Sequence, residues 1–197
     1  MSGETIDALR RALLQSAAAG VALTAAGLNA AVAATPAAAA SGGAKPPGKP
    51  GDFDFLTGEW KIRHRRLKKA GTDDWDEFDG EATCWSILGG VVHVEELRIP
   101  ARQFSGMGLR TLDVEKKVWT DFWVNSKSGV VAPPGMPGYF LDGAGIFEVD
   151  EMDGERPMKV QGIWDRITGK SHRWYQQVSY DGGKTWEWNW FMDWVKV

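Results

Sequence analysis

Trp186-Glu187-Trp188-Asn189-Trp190-Phe191-Met192-Asp193-Trp194, near the C-terminus, alternates with a period of two. Its even positions are four Trp and one Met, and its odd positions are Glu187, Asn189, Phe191 and Asp193. Only an extended strand places every second side chain on one face, so the run predicts a strand with one aromatic face. The same alternation returns upstream, where Trp60, Ile62 and His64 alternate with Lys61, Arg63 and Arg65. Between them, β-branched and aromatic runs predict strands at Thr83 to Ile87, Val91 to Ile99, Leu109 to Asp113, Val118 to Asn125, Gly143 to Val149, Met158 to Trp164 and His172 to Tyr180, separated by short turn signals. No helical-period run of useful length interrupts them. Eight to ten consecutive strands must hide their edges, and closing into an antiparallel up-and-down β-barrel removes the edges altogether. The predicted class is therefore all-β, with a β-sandwich as the competing architecture. A barrel of this size is wide enough to hold one small ligand.

The rest of the chain is different. All eleven Trp, all three Tyr and all eight Phe lie after Gly51, while the first fifty residues are mostly Ala, Gly and Pro. A segment with so few large apolar side chains cannot offset the entropy of ordering itself. Residues 1–40 read as an export signal: Arg10-Arg11 followed by Leu13-Leu14 resembles the twin-arginine pattern, and Ala31-Val32-Ala33 and Ala38-Ala39-Ala40 offer small-x-small cleavage sites. The apolar stretch contains Gln15, Ser16, Thr24 and Asn29 and is too polar for a good membrane span. Residues 41–51, with Pro46, Pro47 and Pro50, read as a linker, and 52–197 as the barrel domain. The expected location is periplasmic or secreted. The net charge of −3 provides no field for nucleic acid. Cys84 is the single cysteine, so no internal disulfide forms.

Asp52-Phe53-Asp54-Phe55-Leu56 followed by Gly58-Glu59-Trp60 resembles the G-x-W opening of lipocalins and related calycins. In those proteins the Trp closes the barrel floor. The wider set, Arg63-His64-Arg65-Arg66-Leu67, Trp119 with Trp123, Pro133-Pro134, Arg173-Trp174, Asp181 to Trp186 and Asn189-Trp190, is similar to a group of uncharacterised bacterial calycin-like proteins of unknown function. The resemblance covers the whole barrel domain. It implies a lipocalin-like fold and carries no catalytic residues across.

Strand parity then nominates the interior. If Trp60 faces inward, so do His64 and Arg66; likewise Trp174 with Gln176 and His172, Trp123 with Trp119 and Asn125, and also Trp164, Trp188 and Trp190. Apolar walls with a few polar fixtures suit an apolar or aromatic small molecule, with an acid group if Arg66 takes part. Alternatively, Arg66 pairs with an inward acid of the neighbouring strand. His93 and Glu95 share a face as a candidate acid/base pair, although Val92 and Val94 have an equal claim on the interior. Enzymatic proton transfer or hydrolysis through His64 or His93 with Glu95, and a filled barrel with a structural or interaction role, stay open beside the binding reading. No cofactor is expected: His64, His93 and His172 are not spaced as paired metal ligands on one element. The basic run Lys61 to Lys69 is followed at once by Asp73, Asp74, Asp76, Glu77, Asp79 and Glu81, which predicts cross-strand ion pairs on a solvated face. Ser179-Tyr180-Asp181-Gly182-Gly183-Lys184-Thr185-Trp186 has the Asp-box pattern, read here as a tight turn.

Overall fold

The computed structural model describes residues 45–131 and 133–197; the predicted leader lies outside them. Ten strands follow one another: β1 (Gly58–Leu67), β2 (Trp75–Ile87), β3 (Val92–Ile99), β4 (Phe104–Asp113), β5 (Val118–Asn125), β6 (Met136–Leu141), β7 (Ala144–Asp153), β8 (Arg156–Asp165), β9 (Ser171–Ser179) and β10 (Glu187–Lys196). Each pairs antiparallel with the next, and β10 pairs back onto β1, so the sheet is a closed barrel. The up-and-down expectation holds. No helix among the described residues is long and apolar enough to cross a membrane.

The charged hairpin of β1 and β2 forms as its sequence predicts. Arg63 on the outer face bonds Glu77 at 2.8 Å and Asp79 at 3.0 Å, and Lys68 bonds Asp74 at 2.8 Å. The Asp-box segment is a turn: Asp181 accepts hydrogen bonds from the Lys184 and Thr185 amides and from the Thr185 hydroxyl. The Thr185 hydroxyl above all, with the Thr185 amide and Ser179, holds its carboxyl well below the usual range.

One end of the barrel is plugged. The chain before β1 makes a tight turn, Asp54–Leu56, that sends Phe53 and Leu56 into the core. The Trp60 indole donates to the Leu56 carbonyl at 2.6 Å, so this Trp does lie against the floor. Phe53 packs edge-on to Trp119 and Phe140, 5.0 Å from each. Phe55 meets His172 at 5.3 Å and Trp164 at 5.9 Å. At the same end the Gly48 amide donates to Lys117 and the Gly51 amide to Gly90, which ties residues of the Pro/Gly run to the barrel's loops.

The parity of β10 needs a correction. Its register against β9 shifts between Trp188, opposite Gln177, and Trp190, opposite Gln176. Asn189 is the extra residue of a β-bulge, and a bulge moves everything before it to the other face. Trp190, Met192 and Trp194 point inward as expected, whereas Trp188 lies outside, 38% exposed and edge-on to Phe191. Trp186 precedes the strand, and its indole donates to the Gly183 carbonyl in the turn.

Candidate functional site

The interior has two walls of different character. On the first, β1, β10 and β9 bring together His64, Trp190, Trp174, Gln176 and Arg66. His64 is fully buried and stacked on Phe78 at 4.6 Å, with the rings nearly parallel. Its Nδ1 accepts the Trp190 indole N–H at 3.2 Å. An indole nitrogen only donates, so the imidazole proton sits on Nε2, against Gly80. Burial, with help from Arg102, pushes His64 down to about 4, so it is neutral at pH 7. Trp174 stands edge-on to Trp190 at 5.8 Å, and the Arg66 guanidinium lies 4.7 Å over the Trp190 ring.

Arg66 stands near the open end, opposite Asp76 in the β1–β2 register. Asp76 itself bonds Arg102 at 2.6 Å. Burial above all, with Arg102, works against the charged form of Arg66, and Asp76 favours it. Gln176 donates to the Asn189 side chain at the bulge.

The second wall, β3, β4 and β5, is ionic. His93 and Glu95 face inward, 1% and 3% exposed, and Val92 and Val94 face out. Between them and β5 lies Arg110, buried, with Nη2 donating to Glu95 at 2.7 Å and Nε 3.5 Å from Asp121. Its Nη1 stands 3.5 Å from His93 Nδ1. A guanidinium has no acceptor, so the His93 proton is on Nε2. Although burial opposes it, Asp121 and Glu95 together keep Arg110 firmly ionised. Burial, opposed by Arg110, pushes Asp121 up to about 6. Burial first and Arg110 second depress His93 and His172 to about 3 each. Glu95 thus orients Arg110 rather than forming a direct dyad with His93.

This wall is built on small residues. The Arg110 guanidinium lies over Gly108, where an added Cβ would come 2.9 Å from Nη2, and Trp123 lies over Gly106, where it would come 2.2 Å from the ring. Glycine permits this close approach.

The described interior also carries polar atoms with no partner. Trp123 Nε1, Trp164 Nε1, Trp194 Nε1, His93 Nε2 and both nitrogens of His172 are buried and find no hydrogen bond among the described residues. Trp164 and His172 sit 5.5 Å apart, His172 and Trp194 5.0 Å, and the Arg110 guanidinium is 5.1 Å over Trp164. Trp164, His172, Trp194 and Arg110 form one cluster near the plugged end.

Of the residues nominated by parity, His64, Arg66, Trp174, Gln176 and Trp190 share one wall. Trp164 stands deeper, and Trp123 and Asn125 lie on β5. Asn125 is at the rim, where its side-chain oxygen accepts the Lys127 amide. Trp188 is outside. Arg110 and Asp121 were not nominated, although Asp121 shares parity with Trp119 and Trp123. Among the described residues no group of three His, Cys, Asp or Glu side chains is arranged to hold a metal ion. The arrangement supplies fixed hydrogen-bond donors between aromatic faces, with three histidines held neutral. The fold is compatible with a calycin-like barrel; no protein-family model matches the chain, and no curated protein matches it.

Proposed function

We propose that this protein is an exported barrel of the calycin-like kind that binds one small, flat, largely apolar or aromatic molecule in its interior. The observation that carries the reading is the set of buried N–H groups that find no partner among the described residues and stand between aromatic faces. Leaving a buried donor unsatisfied costs about 1–3 kcal/mol, and a ligand presenting acceptors relieves that cost. Ten strands make the barrel wider than the eight-stranded ones that already accommodate a small ligand. The Arg66 guanidinium, opposite Asp76 in the strand register, and Arg102, bonded to Asp76, favour a ligand whose acid group is left at the mouth. Export rests on Arg10-Arg11 and the Ala-rich stretch after them.

Native mass spectrometry of the purified chain tests the reading directly. A retained small molecule supports it. A protein that retains nothing, and whose Trp fluorescence responds to no lipophile, is a filled barrel. Arg66→Ala weakens acidic ligands by about 1.5–3 kcal/mol, the range for a hydrogen bond to a charged group, and leaves neutral analogues nearly unaffected. Arg65→Ala, on the outer face against Trp75 and Phe191, changes neither.

A further inference from the structure

We propose that the plugged end of the barrel recognises an uncharged hydrogen-bond acceptor, a ketone, quinone or lactone carbonyl, through the N–H groups of His93, Trp164 and Trp194 beside His172. This deepens the small-molecule reading and rests on it. Three features lead to this chemistry.

The first is the polarity of the unmet groups. Trp164 Nε1 and Trp194 Nε1 only donate, and His93 Nε2 donates because its Nδ1 faces the Arg110 guanidinium. His172 adds one donor and one acceptor, and both of its nitrogens are without partners among the described residues. The deep end is therefore rich in donors, and its natural complement is an oxygen that accepts.

The second is charge. A single cation, Arg110, already faces two carboxylates, Glu95 at 2.7 Å and Asp121 at 3.5 Å. A ligand carboxylate placed here would add a third negative group around one guanidinium in a buried site, where like charges repel strongly. A carbonyl oxygen accepts the same hydrogen bonds and brings no charge. The acid-binding guanidiniums stand instead at the other end, so a ligand carrying both groups is oriented with its carbonyl deep and its acid at the rim.

The third is surroundings. His172 is enclosed by Trp60 at 4.4 Å, Trp194 at 5.0 Å, Phe55 at 5.3 Å and Trp164 at 5.5 Å. An apolar ring carrying the carbonyl meets aromatic surface, and in such a setting a neutral hydrogen bond is stronger than in water.

Calorimetric titration of the full chain with four naphthalenes substituted at the same ring position tests the idea: acetylnaphthalene, ethylnaphthalene, naphthylethanol and naphthoate. The ketone is expected to bind about tenfold more tightly than the ethyl compound, the gain for one to two neutral hydrogen bonds, and more tightly than the alcohol. Trp164→Phe and Trp194→Phe each reduce the ketone's affinity by about three- to tenfold and leave ethylnaphthalene almost unchanged. Naphthoate affinity falls with Arg66→Ala, whereas ketone affinity does not. An independent reading needs no variant: the carbonyl infrared band of bound acetylnaphthalene moves to lower frequency than in an alkane solvent. Equal affinity for ketone and ethyl compound, or a bound carbonyl band at its alkane position, overturns the carbonyl site and leaves the binding barrel standing. Failure of all four compounds to bind overturns the carbonyl site, and together with a purified chain that retains no small molecule it overturns the binding barrel as well.

Discussion

Strands β9 and β4 lie five places apart in a ring of ten, so they face each other across the barrel, and they are built differently. On one side, Trp174, Trp190 and Met192 pack as apolar surface, with His64 tied into it by a single neutral hydrogen bond. On the other, Gly106, Gly108, Arg110 and Asp121 form a wall whose stability depends on one guanidinium between two carboxylates. Apolar packing is spread over many small contacts and tolerates the loss of one. A buried charge set has no such tolerance, because removing one member strands the others.

Removing the cation is the most direct attempt to break this contrast. Arg110→Met is expected to cost about 3–5 kcal/mol, as for a buried pair stripped of one partner, with Glu95 3% exposed and left uncompensated. Urea unfolding measures it. Adding Glu95→Gln and Asp121→Asn to the same protein should return much of the loss. If the triple variant is no more stable than Arg110→Met alone, the wall is held by shape and not by charge.

Acid is the next lever, and it acts on the three histidines and on Asp121 with opposite signs. His64, His93 and His172 have folded-state values near 4, 3 and 3, below the ordinary 6.5. Their contribution is complete above pH 6.5 and is lost as pH falls towards 4, at up to about 1.4 kcal/mol per pH unit for each histidine. Asp121, raised from 3.8 to about 6, binds its proton in the folded state first, so between pH 6 and 4 it offsets part of that loss. Asp121→Asn should therefore steepen the acid side of a stability profile. An unchanged slope would mean that Asp121 titrates normally.

The smallest effect belongs to the aromatic wall. Trp190→Phe removes the N–H to His64 and leaves Nδ1 as a buried acceptor, for an expected loss of about 1–3 kcal/mol in thermal or urea unfolding. A loss as large as that of Arg110→Met would erase the distinction between the walls.

The same contrast explains what was legible in the sequence. The aromatic wall follows apolar periodicity, so β1 and β9 yield their inward residues directly, and β10 does so from Trp190 onward. The bulge at Asn189 was invisible, because one inserted residue leaves the local alternation of Trp186, Trp188 and Trp190 intact. The ionic wall runs against the rule. In β4 the bulkier Met107 and Leu109 face outward and the glycines face inward, because the room they leave is filled by Trp123 and Arg110. In β2, likewise, Ala82 and Cys84 are inside and Trp85 is outside, 45% exposed. Hydrophobicity cannot find a wall made of glycine and charge. The usable signals were His93 and Glu95 sharing a face of β3, and Asp121 standing in step with Trp119 and Trp123 on a strand otherwise expected to be lined by aromatics.

The seam between β1 and β10 has a kinetic consequence. Every other strand pair in the barrel joins neighbours in sequence and can form as a local hairpin, on a timescale of about 1–10 μs. The seam joins residues such as His64 and Trp190, 126 positions apart, and the loop entropy of bringing them together is incurred before any of its contacts form. The barrel is thus a chain of fast local steps followed by one slow, long-range closure, and the search that limits its folding is the meeting of its first strand with its last.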